Sequence, residues 1–134
     1  MISTQKIIST FAEYSVIEDD IVLVEYINDV EVTVNEAKEI RDTTKQLSQN
    51  NRHAIIHDFA GKNVIFSGLA KSMAEGRNEV SDNLYARAFV LYNISNKIEI
   101  AHFLKFHKPS TPSKVFNDFT EAINWLKEQR SLSH

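Results

Sequence analysis

The stretch HAIIHDF, from His53 to Phe59, is short, β-branched in its middle and bounded by polar residues. This composition is typical of a strand that is largely buried in a sheet. A segment with helical spacing precedes it, over Val34 to Ser48, and another begins after it at Phe66. Alternation of this kind builds a layer of helices on a mostly parallel sheet, so the centre of the chain predicts an α/β fold.

Two apolar runs lie before this strand, at Phe11 to Ile17 and Ile21 to Tyr26. The acidic residues between them, among them Asp19 and Asp20, are predicted as turn residues. Short apolar runs joined by a tight turn predict an antiparallel hairpin at one edge of the sheet.

A capping box follows at Thr33 and Glu36. In this motif a threonine side chain accepts a hydrogen bond from the third helical amide, while the glutamate reaches back. The first helix is therefore predicted from about Val34 to Ser48.

The second half of the chain continues the alternation. Helical spacing from Phe66 onward fits one long helix or two short ones, and the pattern does not decide between them. The next elements are a strand, a helix, a strand and a helix: Ala86 to Tyr92, Ile94 to His107, Lys114 to Phe116 and a last helix capped by Asp118. The whole order predicts one α/β domain over residues 1–134, with a mixed, mostly parallel sheet, an antiparallel N-terminal hairpin and about four helices.

Composition narrows the classes of function. The 134 residues include no cysteine and only 3 glycines, which excludes disulfides, thiolate catalysis and cysteine-ligated zinc and argues against glycine-rich phosphate loops. A net charge of -3 without runs of like charge argues against binding to nucleic acid. The start of the chain lacks the apolar core of a signal peptide, and no segment approaches a membrane span. The sequence thus predicts a cytoplasmic protein.

The tail PSTPSKVFND, from Pro109 to Asp118, followed by Glu121-Ala122 and Trp125-Leu126, resembles the C-terminal signature of SpoIIAA-like, STAS-related domains. Ile17 to Val24 and the helix start at Thr33 to Ala37 resemble the small, mostly bacterial members of unassigned function. The resemblance implies the α/β fold of anti-sigma factor antagonists and, more distantly, of lipid-binding CRAL-TRIO domains. It also implies a protein without catalytic activity, and the sequence predicts no cofactor.

Anti-sigma factor antagonists carry a phosphorylated serine directly before a Gly-Leu pair, and Ser67-Gly68-Leu69 matches this part of their motif. Ile65 and Phe66 stand where that family has Asp-Ser. A phosphate at a helix start is stabilised by free amides and by the helix dipole, so the resemblance makes Ser67 a phosphorylation candidate. The alternative is that Ser67 is only an N-cap, or an ordinary residue of a helix that starts at Asn63.

Asp58, Asn63 and Asn93 form a candidate polar pocket with Ser67, because ligands of open α/β sheets bind near the carboxyl ends of strands. The alternative for Asp58 is a cap on the loop that leads to Asn63. No metal site is predicted, since His53 and His57 would lie roughly 13 Å apart on a strand and the histidines of the later helix point in different directions.

The helix from Ile94 to His107 has more apolar residues than one sheet can cover. Ile98, Phe103 and Phe106 are therefore candidates for a homodimer interface or for contacts with an apolar ligand. The alternative is that the segment from Pro109 to Pro112 and the last helix cover them.

These patterns favour a non-enzymatic regulatory protein-binding module with an unidentified protein partner. The second hypothesis is a domain that binds a small apolar or lipid-like ligand in a cavity beside Phe103 and Phe106. The third is an enzyme whose polar groups would gather near Asp58 and Asn93.

Overall fold

The structure is a computed structural model that describes residues 5–66, 83–107 and 111–132. In chain order, the described elements are β1 (Lys6–Ile8), β2 (Ala12–Glu18), β3 (Ile21–Tyr26), β4 (Val30–Glu31), α1 (Val34–Leu47), β5 (His53–Asp58), β6 (Val64–Ile65), β7 (Leu84–Val90), α2 (Ile94–His107), β8 (Ser113–Phe116) and α3 (Phe119–Leu132). Six of the strands form one sheet in the order β1-β2-β3-β5-β7-β8, and β4 pairs with β6 in a small second sheet.

The main sheet is mixed, as the sequence predicts. Strands β1, β2 and β3 are antiparallel neighbours, and the β2–β3 pairing places Tyr14 opposite Val24. From β3 onward the pairing is parallel, with Ile56 of β5 between Leu23 of β3 and Ala88 of β7. Strand β8 closes the parallel part beside β7. The structure therefore confirms a mostly parallel sheet with an antiparallel N-terminal hairpin.

The described helices begin and end close to where their sequence signals predict. The capping box at the start of α1 is present, with the backbone amide of Thr33 donating to the Glu36 carboxylate at 2.9 Å. Helix α2 has the predicted bounds, and Asp118 caps α3 by accepting a hydrogen bond from the Glu121 amide. Each helix has 14 residues, and none in the described parts of the chain is long and apolar enough to cross a membrane.

Both faces of the sheet are covered by helices. Ile55 of β5 belongs to an apolar cluster that includes residues of α1 and α2, whereas its neighbour Ile56 belongs to a cluster that includes residues of α3. This division follows from the strand geometry, because successive side chains point to opposite faces. Helix α3 contributes Ala122, Ile123 and Leu126 to its cluster.

The structure also differs from the prediction. Strands β1, β4 and β6 were not predicted, because two or three residues cannot show an alternating pattern. Strand β7 begins and ends two residues before the predicted Ala86 to Tyr92. The described residues contain three helices rather than about four, and the helix predicted from Phe66 falls on residues 67–82, outside the described residues.

Replacing Leu126 with alanine tests the packing of α3 on the sheet. Leu126 is 0% exposed, so we expect Leu126→Ala to lower the free energy of unfolding by about 2 to 5 kcal/mol, through lost burial and a cavity. Leu132→Ala is the matched control on the same helix, because Leu132 is 72% exposed. Urea unfolding followed by circular dichroism measures both, and equal losses would contradict this packing.

Candidate functional site

Two asparagines fasten the first turn of α2. Asn93 caps the helix, since its side-chain oxygen accepts a hydrogen bond from the Asn96 amide at 2.8 Å. The buried Asn96 side chain donates to the carbonyl of Lys62 at 2.7 Å and accepts from the Val64 amide at 3.5 Å. Helix α2 is thereby fixed against the segment that leads into β6.

The two faces of α2 differ in exposure. Ile100 and Phe103 point inward, and Phe103 is only 4% exposed. Ile94 and Ile98 are 73% and 66% exposed, and Ala101 is exposed as well. Steps of four and three residues place Ile94, Ile98 and Ala101 on one side of the helix, and we call these three residues the outer stripe of α2.

The three contact residues predicted on this helix do not share one environment. Ile98 lies on the outer stripe, whereas Phe103 is buried and stacks on Phe66 with ring centroids 6.2 Å apart. Phe106 lies within α2, and its side chain is outside the described residues. Of the two side chains that are described, Ile98 is therefore the one open to a partner.

Carboxylates collect where the parallel strands end. Glu25 and Asp58 are register partners on β3 and β5, Asp118 follows β8, and Tyr92 follows β7. Burial, followed by the charge of the Asp58 carboxylate and the hydrogen bond that it accepts from the phenol, raises the pKa of Tyr92 to about 12. The charges of Glu25 and Asp118 act in the same direction, so all three carboxylates lie near Tyr92. We call Glu25, Asp58 and Asp118 the acidic edge.

Among the described residues, the carboxylates of the acidic edge do not form a metal-binding site. In the part of the chain that the structure describes, no three acidic or histidine side chains are close enough together to hold a metal ion. What the three carboxylates of the acidic edge do is give a negative electrostatic potential at the Tyr92 ring. Tyr92 is half-exposed and lies two residues before the outer stripe begins.

Asp58, Asn63 and Asn93 are each engaged locally. Asp58 accepts a hydrogen bond from the Ala60 amide at 2.9 Å, which is the loop cap that the sequence left open as its alternative role. The backbone amide of Asn63 donates a hydrogen bond to the Asp29 carboxylate at 2.9 Å, and the Asn93 side chain caps α2. Among the described residues, no hydrogen bond joins the three to one another. Ser67, the fourth member of that predicted pocket and the phosphorylation candidate, lies outside the described residues.

A buried polar pair lies under α2. The Tyr26 hydroxyl is 3.1 Å from Nδ1 of His57, and the imidazole stacks on Phe89 with ring centroids 4.9 Å apart. Burial, and then the charge of Arg87, holds the pKa of His57 well below its usual range, so this histidine is neutral at physiological pH. Arg87 is itself buried on β7, and burial lowers its pKa to about 10. Sequence reasoning missed Tyr26 and Arg87, although a charged residue inside an apolar strand is a visible signal.

A second polar cluster lies at the opposite ends of the strands. Asp20 forms an ion pair with Arg130 of α3, whose Nε donates at 2.9 Å, and accepts from the Tyr85 hydroxyl at 3.0 Å. The Arg52 guanidinium lies 4.4 Å from the centre of the Tyr85 ring. A cleft of about 530 Å³ opens beside this cluster, between the β2–β3 turn and the segment after α1. The sequence predicts Asp20 only as a turn residue, because pairing with a residue 110 positions away leaves no local pattern.

Comparison with known proteins agrees with this architecture. A family model described as a domain of unknown function, DUF7793, matches residues 15–130. The structure is similar to the crystal structure of an uncharacterized protein of the DUF3478 family, with a SpoIIAA-like fold, from Shewanella loihica PV-4. The TM-score is 0.55 at 13% sequence identity, over 94% of this chain and 98% of that one. No curated protein matches the sequence significantly. The likeness confirms the SpoIIAA-like fold that the tail motif implies.

Titration of Tyr92 tests the acidic edge. We expect Asp58→Asn to lower the pKa of Tyr92 from about 12 toward the ordinary value of 10.0, because a negative charge beside the phenol is removed while the burial remains. Asp19→Asn, in the exposed hairpin turn, is the control and should leave the Tyr92 pKa unchanged. Nuclear magnetic resonance of the labelled tyrosine ring measures both values. A Tyr92 pKa that is the same in Asp58→Asn as in the wild type would contradict the described contact.

Proposed function

Because the chain belongs to the family that the DUF7793 model describes, whose description assigns no activity, we propose a function from the surface of its SpoIIAA-like fold. The protein is a non-enzymatic, regulatory protein-binding module of the cytoplasm. Its binding surface is the outer stripe of α2. The proposal needs a protein partner and no catalytic step or cofactor.

The exposure of Ile94 and Ile98 is the observation that carries this proposal. Isoleucine is among the residue types most often found fully buried, yet these two side chains lie side by side on one helix face and stay largely open to water. Covering such a patch with a partner removes apolar surface from water, which stabilises a complex. The half-exposed Tyr92 just before the helix adds an aromatic side chain of the kind enriched at protein interfaces.

Regulation through Ser67 is the second part of the proposal. Ser67 directly follows Phe66, and the ring of Phe66 is buried against Phe103 on the inner face of α2. A phosphate on Ser67 would add negative charge one residue away from that contact. Because Ser67 and Phe66 are neighbours in the chain, this contact supports the proposal that phosphorylation of Ser67 changes how α2 exposes the outer stripe to a partner.

The packing of aromatic rings under α2 favours protein binding over the second hypothesis, an apolar or lipid-like ligand beside Phe103. The Phe66 ring centre lies 5.7 Å from that of Phe59, 6.0 Å from that of Phe89 and 6.2 Å from that of Phe103. Rings at these separations are in contact, so aromatic side chains pack against one another in the described interior beside Phe103. Copurification of an apolar molecule with the protein would reverse this preference.

Site-specific cross-linking tests the proposed binding surface. We expect a photo-reactive amino acid at position 98 to give a discrete protein adduct in cells that express the chain, because a partner covers this face. Position 132, an equally exposed leucine on α3, is the control and should give at least about fivefold less adduct, because single exposed apolar residues are ordinary surface. Equal labelling from the two positions, or none from position 98, would contradict the proposal.

The regulatory role of Ser67 has its own test. Protein purified from its native cells should carry a phosphate-sized mass increment that Ser67→Ala abolishes. Ser67→Asp should reduce the adduct from position 98 several-fold while circular dichroism stays that of the wild type, since it adds negative charge next to the Phe66 contact. Ser131→Asp, exposed at the end of α3, is the control. An adduct from position 98 that is unchanged in Ser67→Asp would rule this role out.

A further inference from the structure

The cleft of about 530 Å³ lies at the end of the sheet opposite to the acidic edge, and we call it the turn cleft. The β2–β3 turn, the end of α1 and the segment that leads into β5 line it. Four apolar residues belong to this lining: Val16, Ile17, Val22 and Leu47. Sites for small molecules commonly have volumes of about 300 to 1,000 Å³ and apolar walls with a few polar groups. The turn cleft therefore has the size and the kind of wall that such a site needs.

His53 gives this lining a hydrogen-bond acceptor that the described residues do not use. The side chain is only 2% exposed, and its Nδ1 lies 2.8 Å from the backbone carbonyl of Asn51. A carbonyl can only accept, so Nδ1 carries the proton and Nε2 of the neutral ring carries a lone pair. Burial lowers the pKa of His53, although the Asn51 bond and the charge of Asp20 oppose this shift, so the ring is neutral at physiological pH. No hydrogen bond from another described residue reaches Nε2.

Hydrogen bonds hold the segment between α1 and His53 in place. Gln49 and Asn50 turn the chain sharply there, with φ values of 56° and 59°. The Asn83 side chain donates to the carbonyl of Asn50 at 2.6 Å, and the backbone amide of His53 donates to the carbonyl of Asn83 at 2.8 Å. This side of the turn cleft is therefore formed before any ligand arrives, as is usual for small-molecule sites.

The charged residues of the lining favour a cation over an anion. Of its three carboxylates, Glu18 is paired with a lysine of α3 at 3.3 Å, and Asp20 is paired with Arg130. Asp19 is exposed and forms no ion pair within the described part of the chain. The Arg52 guanidinium is also in the lining, and it donates to the Arg130 carbonyl at 3.0 Å. A positively charged ligand group therefore finds a carboxylate that is still open.

We propose that the turn cleft binds a small organic molecule in which a protonated amine is joined to an apolar group. N–H groups of the ligand donate to the Asp19 carboxylate and to Nε2 of His53, and the apolar group packs on the wall that includes Val22 and Leu47. Burial of this group supplies most of the binding free energy, because an exposed ion pair contributes little. The occupant is organic, since no three acidic or histidine side chains of the described residues are close enough together to hold a metal ion.

Two matched probes test the site, namely phenethylamine and hydrocinnamate. Both carry a phenyl ring on a short chain, but the first ends in an ammonium group and the second in a carboxylate. We expect phenethylamine to shift the imidazole nitrogen signals of His53 saturably in nuclear magnetic resonance, while those of the exposed His102 on α2 stay unchanged. Hydrocinnamate should bind at least about fivefold more weakly, because its charge has the wrong sign for Asp19. No saturable shift of His53, or equal affinity for the two probes, would overturn the proposal.

Two substitutions test the polar contacts one at a time. Asp19→Asn removes the open carboxylate from an exposed turn, so it should weaken phenethylamine binding about threefold and leave circular dichroism unchanged. His53→Asn keeps an amide that can donate to the Asn51 carbonyl but removes Nε2, so it should also weaken binding. Asp42→Asn, exposed on α1 outside the lining, is the control. Wild-type affinity in both variants would overturn the proposal. The cross-link from position 98 does not involve this cleft, so the proposed function stands or fails separately.

Discussion

Strand β5 pairs with β3 on one side and with β7 on the other, and side chains on both of its faces are buried. Burial keeps water from the backbone amides and carbonyls of β5, so these groups form their hydrogen bonds with the neighbouring strands. Both neighbours run parallel to β5, so the chain must cross back over the sheet between strands. Helix α1 lies in such a crossover between β3 and β5, and α2 lies in another between β7 and β8. The position of α1 therefore follows from the parallel pairing of β3 with β5, and that of α2 from the parallel pairing of β7 with β8.

The two interior layers are filled by different kinds of side chain. On the α3 side, Ala86 and Ala88 let the helix approach the sheet closely. On the α1 and α2 side, aromatic rings fill the layer and surround the neutral His57. Phe103 joins this layer from α2 and is 4% exposed, whereas Ile94 and Ile98 of the same helix are 73% and 66% exposed. The outer stripe of α2 thus lies on the side of the helix that faces away from this aromatic layer.

Local signals in the sequence predicted much of this fold. Helix positions were predicted well from the capping box at Thr33 and from the apolar pattern of Ile94 to His107. Helix caps and helical periodicity depend on residues that are close together in the sequence. The pattern also indicated that α2 has too many apolar residues for one sheet, but the direction in which each one faces depends on neighbours far along the chain. The ion pair of Asp20 with Arg130 and the pairing of β4 with β6 depend on the same distant contacts. In the candidate site, the sequence predicted only part of the role of Asp58. Its carboxylate caps a loop and also contacts Tyr92.

The position of α3 in the chain has a consequence for synthesis on the ribosome. This helix is the last of the described elements to emerge, whereas the strands that it covers are made earlier. Until residues 119–132 have left the exit tunnel, the sheet face around Ile56 and Ala88 lacks α3, which is the helix that packs on it among the described residues. The ion pair between Asp20 and Arg130 joins the β2–β3 turn to the last turn of α3. It can therefore form only after α3 has emerged and packed on the sheet.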